Sequence, residues 1–219
     1  MWKRSVFKVQ RGLFIVFEGI DGCGKTTQVK MLAERFNKLG QDVVVTREPG
    51  GTRIGGQIRK LLLHPANGEI THRAEALLYA ADRAQHVGEK ILPALHAGKT
   101  VICDRFTDST LAYQGGGRGV DRDFLGCLNE LAAPKVSPNL VFVLDMPPEV
   151  AMKRLAGKKS AVDRLEAEDL QFYNRVRETY LVLARHSPAR CKVINAQMTV
   201  EEVHRQVCNY LGGLSVEQL

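Results

Sequence analysis

The sequence predicts a three-layer α/β fold, in which a parallel sheet lies between two layers of helices. Five short apolar runs alternate with segments that carry apolar residues at helical spacing. The runs are continuous rather than alternating, which is typical of parallel strands covered on both faces. They lie at residues 13–17, 42–46, 100–104, 140–145 and 192–195. With 219 residues, 44% of them hydrophobic, residues 1–219 are expected to form a single domain with a sizeable core.

The segments between the runs have the periodicity of helices and, in places, recognisable helix ends. Apolar stripes at helical spacing lie at residues 29–39, 74–95, 124–131 and 170–183. Asp121 is placed to cap the third of these helices. Thr199 and Glu202 have the spacing of a capping box, which predicts one more helix near the end of the chain.

Composition and charge limit the classes of protein to which the chain can belong. The net charge is +7, but the basic residues are spread along the chain, which favours small phosphorylated ligands over a nucleic-acid partner. No stretch approaches the roughly 18 apolar residues of a membrane span, and the run after the basic tail at residues 1–11 is too short for a signal sequence. Five scattered cysteines indicate reduced thiols. We therefore expect a cytoplasmic protein without a membrane partner.

A phosphate-binding loop follows the first apolar run. The segment FEGIDGCGKTTQ at residues 17–28 fits the pattern G-x-x-x-x-G-K-[ST], with a predicted strand before it and a predicted helix after it. The N–H groups of such a loop and of the helix N-terminus point at phosphate oxygens, so an ordinary glycine turn is the weaker interpretation. The chain is thus predicted to have the P-loop NTPase fold. The expected ATP-binding residues are Gly19, Ile20, Asp21, Gly22, Cys23, Gly24, Lys25, Thr26 and Thr27.

Magnesium ligands are expected at this loop and at the end of a neighbouring strand. The Thr26 hydroxyl is the usual ligand within such a loop, and Lys25 is expected to reach the β- and γ-phosphates. Asp104 ends the third apolar run and is followed by Arg105. An aspartate at a strand end can equally be a helix cap, but together with the phosphate loop it predicts that Thr26 and Asp104 hold Mg²⁺.

Cys23 lies inside the loop and raises a separate expectation. The neighbouring N–H groups and Lys25 would favour the thiolate over the thiol if the sulfur is accessible. The sequence therefore predicts a reactive cysteine whose modification bound ATP would slow.

Three classes of nucleotide-using protein have to be distinguished. A signalling GTPase needs a guanine-reading segment of the N-K-x-D type, and NKLG at residues 37–40 lacks the aspartate. A nucleic-acid motor usually needs a longer chain. A small-metabolite kinase needs an acceptor pocket that faces the loop and a mobile basic lid, and the middle of this sequence favours that class.

Five segments resemble those of thymidylate kinases and occur in the same order. They are FEGIDGCGKTTQ at 17–28, TREPGGT at 46–52, LLYAADRAQHV at 77–87, DRFTDSTLAYQGGGRG at 104–119 and DRLEAED at 163–169. The resemblance implies a five-stranded parallel sheet surrounded by helices, a homodimer, and transfer of the γ-phosphoryl group of ATP to dTMP, giving dTDP and ADP for dTTP synthesis. The alternatives are a kinase for another nucleoside monophosphate and, from another class, a nucleic-acid-associated ATPase or regulatory switch.

The resemblance also implies where the acceptor phosphate and sugar would bind. Asp21 would approach the 3′-hydroxyl of the sugar. Arg105 would bind the acceptor phosphate, whose oxygens a guanidinium matches bidentately. Arg47 and Glu48 would lie beside the same phosphate, with Arg59 on the following helix nearby.

Residue spacing supports a pocket for the base. Tyr79 and Arg83 are four residues apart and share a helix face, so the ring can stack on a pyrimidine while the guanidinium donates to a carbonyl such as O4 of thymine. A short helix would present Thr110, Tyr113 and Gln114 together, and the resemblance places Tyr113 where a ribose 2′-hydroxyl would otherwise fit. The ordinary alternatives are core packing for the tyrosine, a carboxylate partner for the arginine and solvation for the glutamine.

The expected lid spans about residues 154–166. One branch of thymidylate kinases carries an arginine directly after the aspartate of the loop, whereas this chain has Gly22 there and so resembles the mainly bacterial branch. In that branch the lid supplies the cation. The basic lid residues are Arg154, Lys158, Lys159 and Arg164. A solvated basic face is the alternative. The expected catalytic residues are Lys25, Arg105, Asp21, Lys158 and Arg164.

Overall fold

The computed structural model describes residues 12–157 and 163–212, and its core is a parallel five-stranded sheet with the strand order β2-β3-β1-β4-β5. The strands are β1 (Phe14–Glu18), β2 (Val43–Arg47), β3 (Thr100–Asp104), β4 (Leu140–Asp145) and β5 (Cys191–Asn195). Each predicted run lies within one residue of a strand, so the predicted fold is confirmed. The tail at residues 1–11 and the lid lysines Lys158 and Lys159 lie outside the described residues.

Helices surround this sheet. They are α1 (Lys25–Lys38), α2 (Arg53–Leu63), α3 (His72–His86), α4 (Leu92–His96), α5 (Thr107–Thr110), α6 (Arg122–Ala132), α7 (Pro148–Ala156), α8 (Leu170–His186) and α9 (Val200–Leu211). Turns of π-helix at Val87–Ile91 and Leu111–Gly117 join α3 to α4 and extend α5. Within the described part of the chain, no helix is long and apolar enough to cross a membrane.

The predicted helix ends are confirmed, and one helix was not predicted. The Asp121 side chain accepts from the N–H of Phe124, and Thr199 and Glu202 form a complete capping box at the start of α9. Helix α7 has no counterpart among the predicted stripes. It begins at Pro148, and a proline at the first helical position is itself a helix-start signal that the apolar stripes do not include.

The centre and the edges of the sheet differ in burial. Strands β1, β3 and β4 are almost wholly buried, whereas Val45 in β2 and Val193 in β5 are 46% and 42% exposed. The expectation that all five runs are covered on both faces is therefore wrong for the two edge strands. An edge strand pairs with a neighbouring strand on one side only. Its run of apolar residues does not show whether the strand lies at the edge or in the centre of the sheet.

The strand register brings three chain segments together at the carboxyl edge of the sheet. Phe17 of β1 and Arg47 of β2 both pair with Asp104 of β3. The backbone N–H of Arg105 donates to the carbonyl of Phe17 at 2.9 Å, and that of Glu48 donates to the carbonyl of Asp104 at 2.9 Å. Ligands of open α/β sheets bind outside these carboxyl ends, so the predicted phosphate loop and acceptor residues meet in one crevice.

Candidate active site

The phosphate loop joins β1 to α1 and holds its lysine inward. Gly24 precedes α1 with φ 101°, a left-handed conformation that glycine adopts without strain. Lys25 is only 6% exposed, and its Nζ donates to the carbonyls of Gly19 at 3.1 Å and Ile20 at 2.9 Å. The ammonium group therefore lies over the loop, next to the N-terminus of α1, where both would attract phosphate oxygens.

Gly22 brings the loop into close contact with α7. Its φ is +83°, and a Cβ at this position would lie 2.6 Å from the carbonyl oxygen of Ala151 and 3.1 Å from Cγ of Leu155. Carbon atoms do not approach a backbone oxygen so closely. The loop and α7 can pack in this way only because position 22 has no side chain.

The two predicted metal ligands lie side by side. Thr26 Oγ1 donates to Asp104 Oδ2 at 2.8 Å, although the residues are 78 positions apart. Mg²⁺ prefers oxygen ligands and is usually held by one or two carboxylates together with substrate phosphates and water. Over the described ranges, no group of three or more His, Cys, Asp or Glu residues could hold a metal by itself. The pair offers two oxygen ligands, which fits an ion whose other ligands are phosphates and water.

Arg105 is held in one orientation by its surroundings. Its φ is 73°, an uncommon value for a residue other than glycine. Nη2 donates to Asp21 Oδ1 at 2.7 Å and to Tyr113 Oη at 2.9 Å, while Nη1 donates to Tyr180 Oη at 3.1 Å and Ser109 Oγ at 3.3 Å. This network fixes a cation at the point where β3 ends.

Asp21 is ionised at this position. Burial alone would raise the pKa of its carboxyl group, but Arg105 and Lys25 outweigh burial and lower the pKa well below the ordinary value. Its Oδ2 accepts from the Tyr113 hydroxyl at 2.9 Å. The carboxylate can thus align two acceptor-site residues and still accept a hydrogen bond from a ligand hydroxyl.

One pocket contains nine of the ten residues predicted to bind the acceptor. These nine are Asp21, Glu48, Arg59, Tyr79, Arg83, Arg105, Thr110, Tyr113 and Gln114. The tenth, Arg47, is exposed and lines the neighbouring cavity. The structure thus brings residues from the segments after β1, β2 and β3 and from α2 and α3 around a single space.

The neighbouring cavity contains the phosphate loop. Its lining includes Gly22, Gly24, Lys25, Thr26, Thr27, Asp104, Arg154, Leu155 and Val200. Gly19, Ile20 and Cys23, which were also expected to bind ATP, are not among its lining residues. Both cavities share the wall formed by Asp21, Glu48, Arg59 and Arg105. Groups bound in the two cavities would therefore face each other across this wall.

Arg83 is buried and donates most of its N–H groups to acceptors of the protein. Nε donates to Glu48 Oε2 at 2.8 Å, Nη1 donates to Thr110 Oγ1 and Asn129 Oδ1 at 2.9 and 2.6 Å, and Nη2 donates to the carbonyl of Phe106 at 3.0 Å. A guanidinium has five N–H groups, so one N–H on Nη2 remains for a ligand. Arg83 can therefore pair with the carboxylate of Glu48 and still donate a hydrogen bond to a base.

Several residues of the acceptor pocket were not found from the sequence. Phe106 and Ser109 lie within the segment DRFTDSTLAYQ and could have been included on that ground. Leu165 lies in the segment DRLEAED within the expected lid and could have been included on the same ground. Leu63 from α2 also lines the pocket, but no local pattern identifies it, because only the tertiary fold brings it to the site.

Arg164 does not lie at the phosphate loop. Its Nε donates to the carbonyl of Leu62 at 2.8 Å and its Nη2 donates to Glu75 Oε2, and its side chain is only 9% exposed. This placement disagrees with the expected role of Arg164 as a cation for the transferred phosphoryl group. The buried carboxylate of Glu75 attracts the guanidinium. The two residues are 89 positions apart, so the sequence alone does not predict this pairing. Of the described basic lid residues, Arg154 lines the loop cavity instead.

The expectation of a Cys23 thiolate is wrong. The residue is 2% exposed, and burial raises the pKa of its thiol even though Lys25 Nζ lies 3.9 Å from Sγ. Desolvation disfavours the charged form more than the neighbouring cation favours it. The sequence showed the loop but not that this side chain points into the core.

Glu18 is fully buried and shares the partners Ser109 and Tyr180 with Arg105. Its Oε1 accepts from the backbone N–H of Phe106 at 2.8 Å, and its Oε2 accepts from Ser109 Oγ at 2.6 Å and from Tyr180 Oη at 2.9 Å. Burial, with a further contribution from Asp108, raises the pKa of this carboxyl from 4.5 to about 7. Folding therefore favours the protonated form.

Replacing Glu18 by glutamine should alter the pH dependence of stability. Because the folded-state pKa lies above the unfolded-state value, the contribution of Glu18 to stability is complete below pH 4.5 and is lost as the pH rises through about 7. Urea unfolding between pH 5 and 8 should show Glu18→Gln gaining on the order of 3 kcal/mol relative to the parent. The unfolding free energy of Glu34→Gln, a change at an exposed glutamate, should have the same pH dependence as that of the parent. Parallel curves for all three proteins would contradict this prediction.

Comparison with known proteins gives a consistent result. Residues 17–207 match the family model described as thymidylate kinase. The chain is 55% identical over 197 residues to the thymidylate kinase of Pelotomaculum thermopropionicum, which covers 90% of this chain and 91% of that protein. It is 49% identical over 210 residues to that of Caldanaerobacter subterraneus subsp. tengcongensis, covering 94% and 100%.

A solved structure also matches. The crystal structure of thymidylate kinase from Ehrlichia chaffeensis superposes with a TM-score of 0.76 at 36% sequence identity. The match covers 91% of this chain and 98% of that chain. The similarity therefore extends over almost the whole fold.

Proposed function

The chain belongs to the thymidylate kinase family, and we propose that its two adjoining cavities hold the two substrates of that family's reaction. The reaction of this nucleoside monophosphate kinase is the transfer of the γ-phosphoryl group of ATP to dTMP, which gives dTDP and ADP in the synthesis of dTTP for DNA replication. The shared wall of the two cavities carries the proposal. Phosphoryl transfer depends on holding donor and acceptor in line and on stabilising charge, and this wall lies between the phosphate loop and the base pocket.

The loop cavity would hold ATP. Lys25 and the N–H groups of the loop would bind the β- and γ-phosphates. Thr26 and Asp104 would hold Mg²⁺, which when bound neutralises charge on the phosphates. Arg154 lies at the end of α7 on the cavity wall and would add positive charge at the donor. Residues 154–166 would act as the lid of a single domain that spans residues 1–219.

Three guanidinium groups would bind the phosphate of dTMP. Burial and then the neighbouring Arg47 lower the pKa of Arg59, and Arg105 acts in the same direction. Arg59 also donates to the carbonyl of Pro49 at 3.1 Å. This crowding of like charges favours an anion between them, and the acceptor phosphate provides one. Because its oxygen is already anionic, the acceptor needs no general base.

Separate groups would bind the sugar and the base. Asp21 would accept from the 3′-hydroxyl, and Tyr113 would fill the space that a 2′-hydroxyl requires. The remaining N–H of Arg83 would donate to O4 of thymine. Tyr79 would stack on the ring, while Thr110 and Gln114 would face its polar edge.

Assembly as a homodimer and a cytoplasmic location also form part of the proposal. Leu61 of α2, Leu77 of α3 and Leu131 of α6 are 46%, 51% and 78% exposed, and α3 packs against both other helices. Large exposed leucines on adjoining helices favour burial against a second copy. All five cysteines are free thiols, which supports a reducing compartment.

A panel of acceptors tests the proposed function. ADP release with ATP should be most efficient with dTMP and next with dUMP, since one missing methyl group weakens transition-state binding by only about 1–3 kcal/mol. UMP should be far poorer, because its 2′-hydroxyl meets Tyr113, and dCMP should be poorer because its 4-amino group faces an Arg83 donor. AMP should also be used poorly. Turnover stimulated by a polynucleotide, or efficiency with AMP or UMP equal to that with dTMP, would refute the proposal.

A further inference from the structure

We propose that Glu75 is a positioning residue for base specificity, which fixes the side-chain amide of Gln114 so that the pocket presents a hydrogen-bond acceptor to N3 of the base. The inference rests on the proposed function and deepens it. Glu75 is not among the residues that line the acceptor pocket, whereas Gln114 is. It would therefore act on the base only through Gln114.

The contacts of Glu75 leave its carboxylate no freedom. The residue lies on α3 with 0% exposure. Its Oε1 accepts from Gln114 Nε2 at 2.9 Å and from Arg118 Nε at 3.4 Å. Its Oε2 accepts from Arg164 Nη2 and, at 3.5 Å, from Arg118 Nη2. Burial would raise the pKa of Glu75, but Gln114 and the two arginines outweigh burial and lower it, so the group is ionised.

An ionised carboxylate only accepts hydrogen bonds, and this property determines how Gln114 is oriented. The oxygen and nitrogen of a glutamine amide are almost equal in shape, and their hydrogen-bond partners decide which end points where. Gln114 must turn its NH₂ group toward Glu75, so its Oε1 points away. Among the residues that the structure describes, none donates a side-chain hydrogen bond to this oxygen. It is therefore available to a ligand in the pocket.

The oriented oxygen distinguishes bases by the hydrogen at N3. Thymine and uracil carry an N3–H, which can donate to Oε1 of Gln114. Cytosine has an unprotonated N3 that is itself an acceptor, so two acceptors would face each other in a buried site. Arg83 reads the substituent at position 4 independently. The pocket would thus recognise two neighbouring ring positions, N3 through Gln114 and position 4 through Arg83. Glu75 does not touch the base, yet it would determine the recognition of N3.

The test separates N3 from position 4. The two acceptors are dUMP and the 2′-deoxyribonucleoside monophosphate of 2-pyrimidinone, which has an unprotonated N3 and no group at position 4. The measured quantity is the ratio of their kcat/KM values with saturating ATP. In Glu75→Gln the neighbouring amide can donate as well as accept, so Gln114 can turn over. We expect the preference for dUMP to fall about tenfold relative to the parent.

A matched control removes a carboxylate from the same arginine. Glu168 Oε1 accepts from Arg118 Nη1 at 2.6 Å but does not contact Gln114. Glu168→Gln should therefore keep the dUMP preference within about threefold of the parent. An unchanged ratio in Glu75→Gln, or an equal fall in Glu168→Gln, would overturn the inference.

A double variant covers the possibility that Glu75→Gln alone fails to fold. Glu75→Gln/Gln114→Glu exchanges the two groups, so the amide at 75 donates to a carboxylate at 114, which still presents an acceptor to N3. We expect it to retain the parent preference for dUMP, and loss of that preference would count against the inference. A parent protein that fails to phosphorylate dTMP would instead refute the proposed function, which keeps the two failures distinguishable.

Discussion

Lys25→Ala should reduce turnover at least about a hundredfold, because a preorganised cation at the transferred group contributes roughly 2.7–4 kcal/mol. The ammonium group is already held over the loop by the carbonyls of Gly19 and Ile20, so little reorganisation is needed when phosphates bind. Initial rates of ADP release at saturating ATP and dTMP measure the effect. Thermal unfolding of the same preparation shows whether the fold is retained.

Lys38→Ala provides the control for Lys25. Lys38 is the last residue of α1, is exposed and does not line either cavity. Its removal should change turnover by less than about threefold, as for most surface substitutions. Turnover of Lys25→Ala within threefold of the parent would exclude this lysine from the mechanism.

Arg105→Lys should lower kcat/KM for dTMP by about a hundredfold, although the charge is retained. The four Nη hydrogens of Arg105 are donated to protein acceptors, which leaves its Nε–H for a phosphate oxygen. Lysine has no planar fork and only three N–H groups, so it cannot make these contacts and also donate to the phosphate. Loss of one partner from a buried charged hydrogen-bond network costs about 2–5 kcal/mol. The KM for dTMP should rise more than the KM for ATP, because Arg105 would bind the acceptor phosphate.

Arg190→Lys is the matched control for this change. Arg190 Nη2 donates to Asp108 Oδ1 at 3.1 Å, and Arg190 lines neither cavity. The same substitution there should leave kcat/KM for dTMP within about threefold while it reduces stability. If Arg105→Lys were as active as Arg190→Lys, the proposed clamp on the acceptor phosphate would be wrong.

Much of the fold was predictable because its signals are local. Each strand is a short apolar run, the phosphate loop is a contiguous pattern, and Asp121, Thr199 and Glu202 mark helix ends within a few residues. The acceptor residues were predictable for a different reason. They lie in segments whose order resembles a known family, and the structure gathers nine of them in one pocket.

The remaining features depend on burial and on partners far apart in the chain. Arg164 and Glu75 are separated by 89 residues, so no spacing rule links them. Cys23 lies beside a lysine in a loop, but the direction of its side chain decides whether burial or charge determines its pKa. Strands β2 and β5 are partly exposed because they lie at the edges of the sheet. The strand order determines these positions, and the amino-acid sequence of a single strand does not reveal them.

The contact between Gly22 and α7 makes the identity of residue 22 and the position of α7 interdependent. An arginine at position 22 would place its Cβ 2.6 Å from the carbonyl oxygen of Ala151, and the φ of +83° would strain any residue that has a side chain. In this background such a substitution requires α7 to move away from the loop. A cation at position 22 and the present packing of α7 against the loop therefore exclude each other.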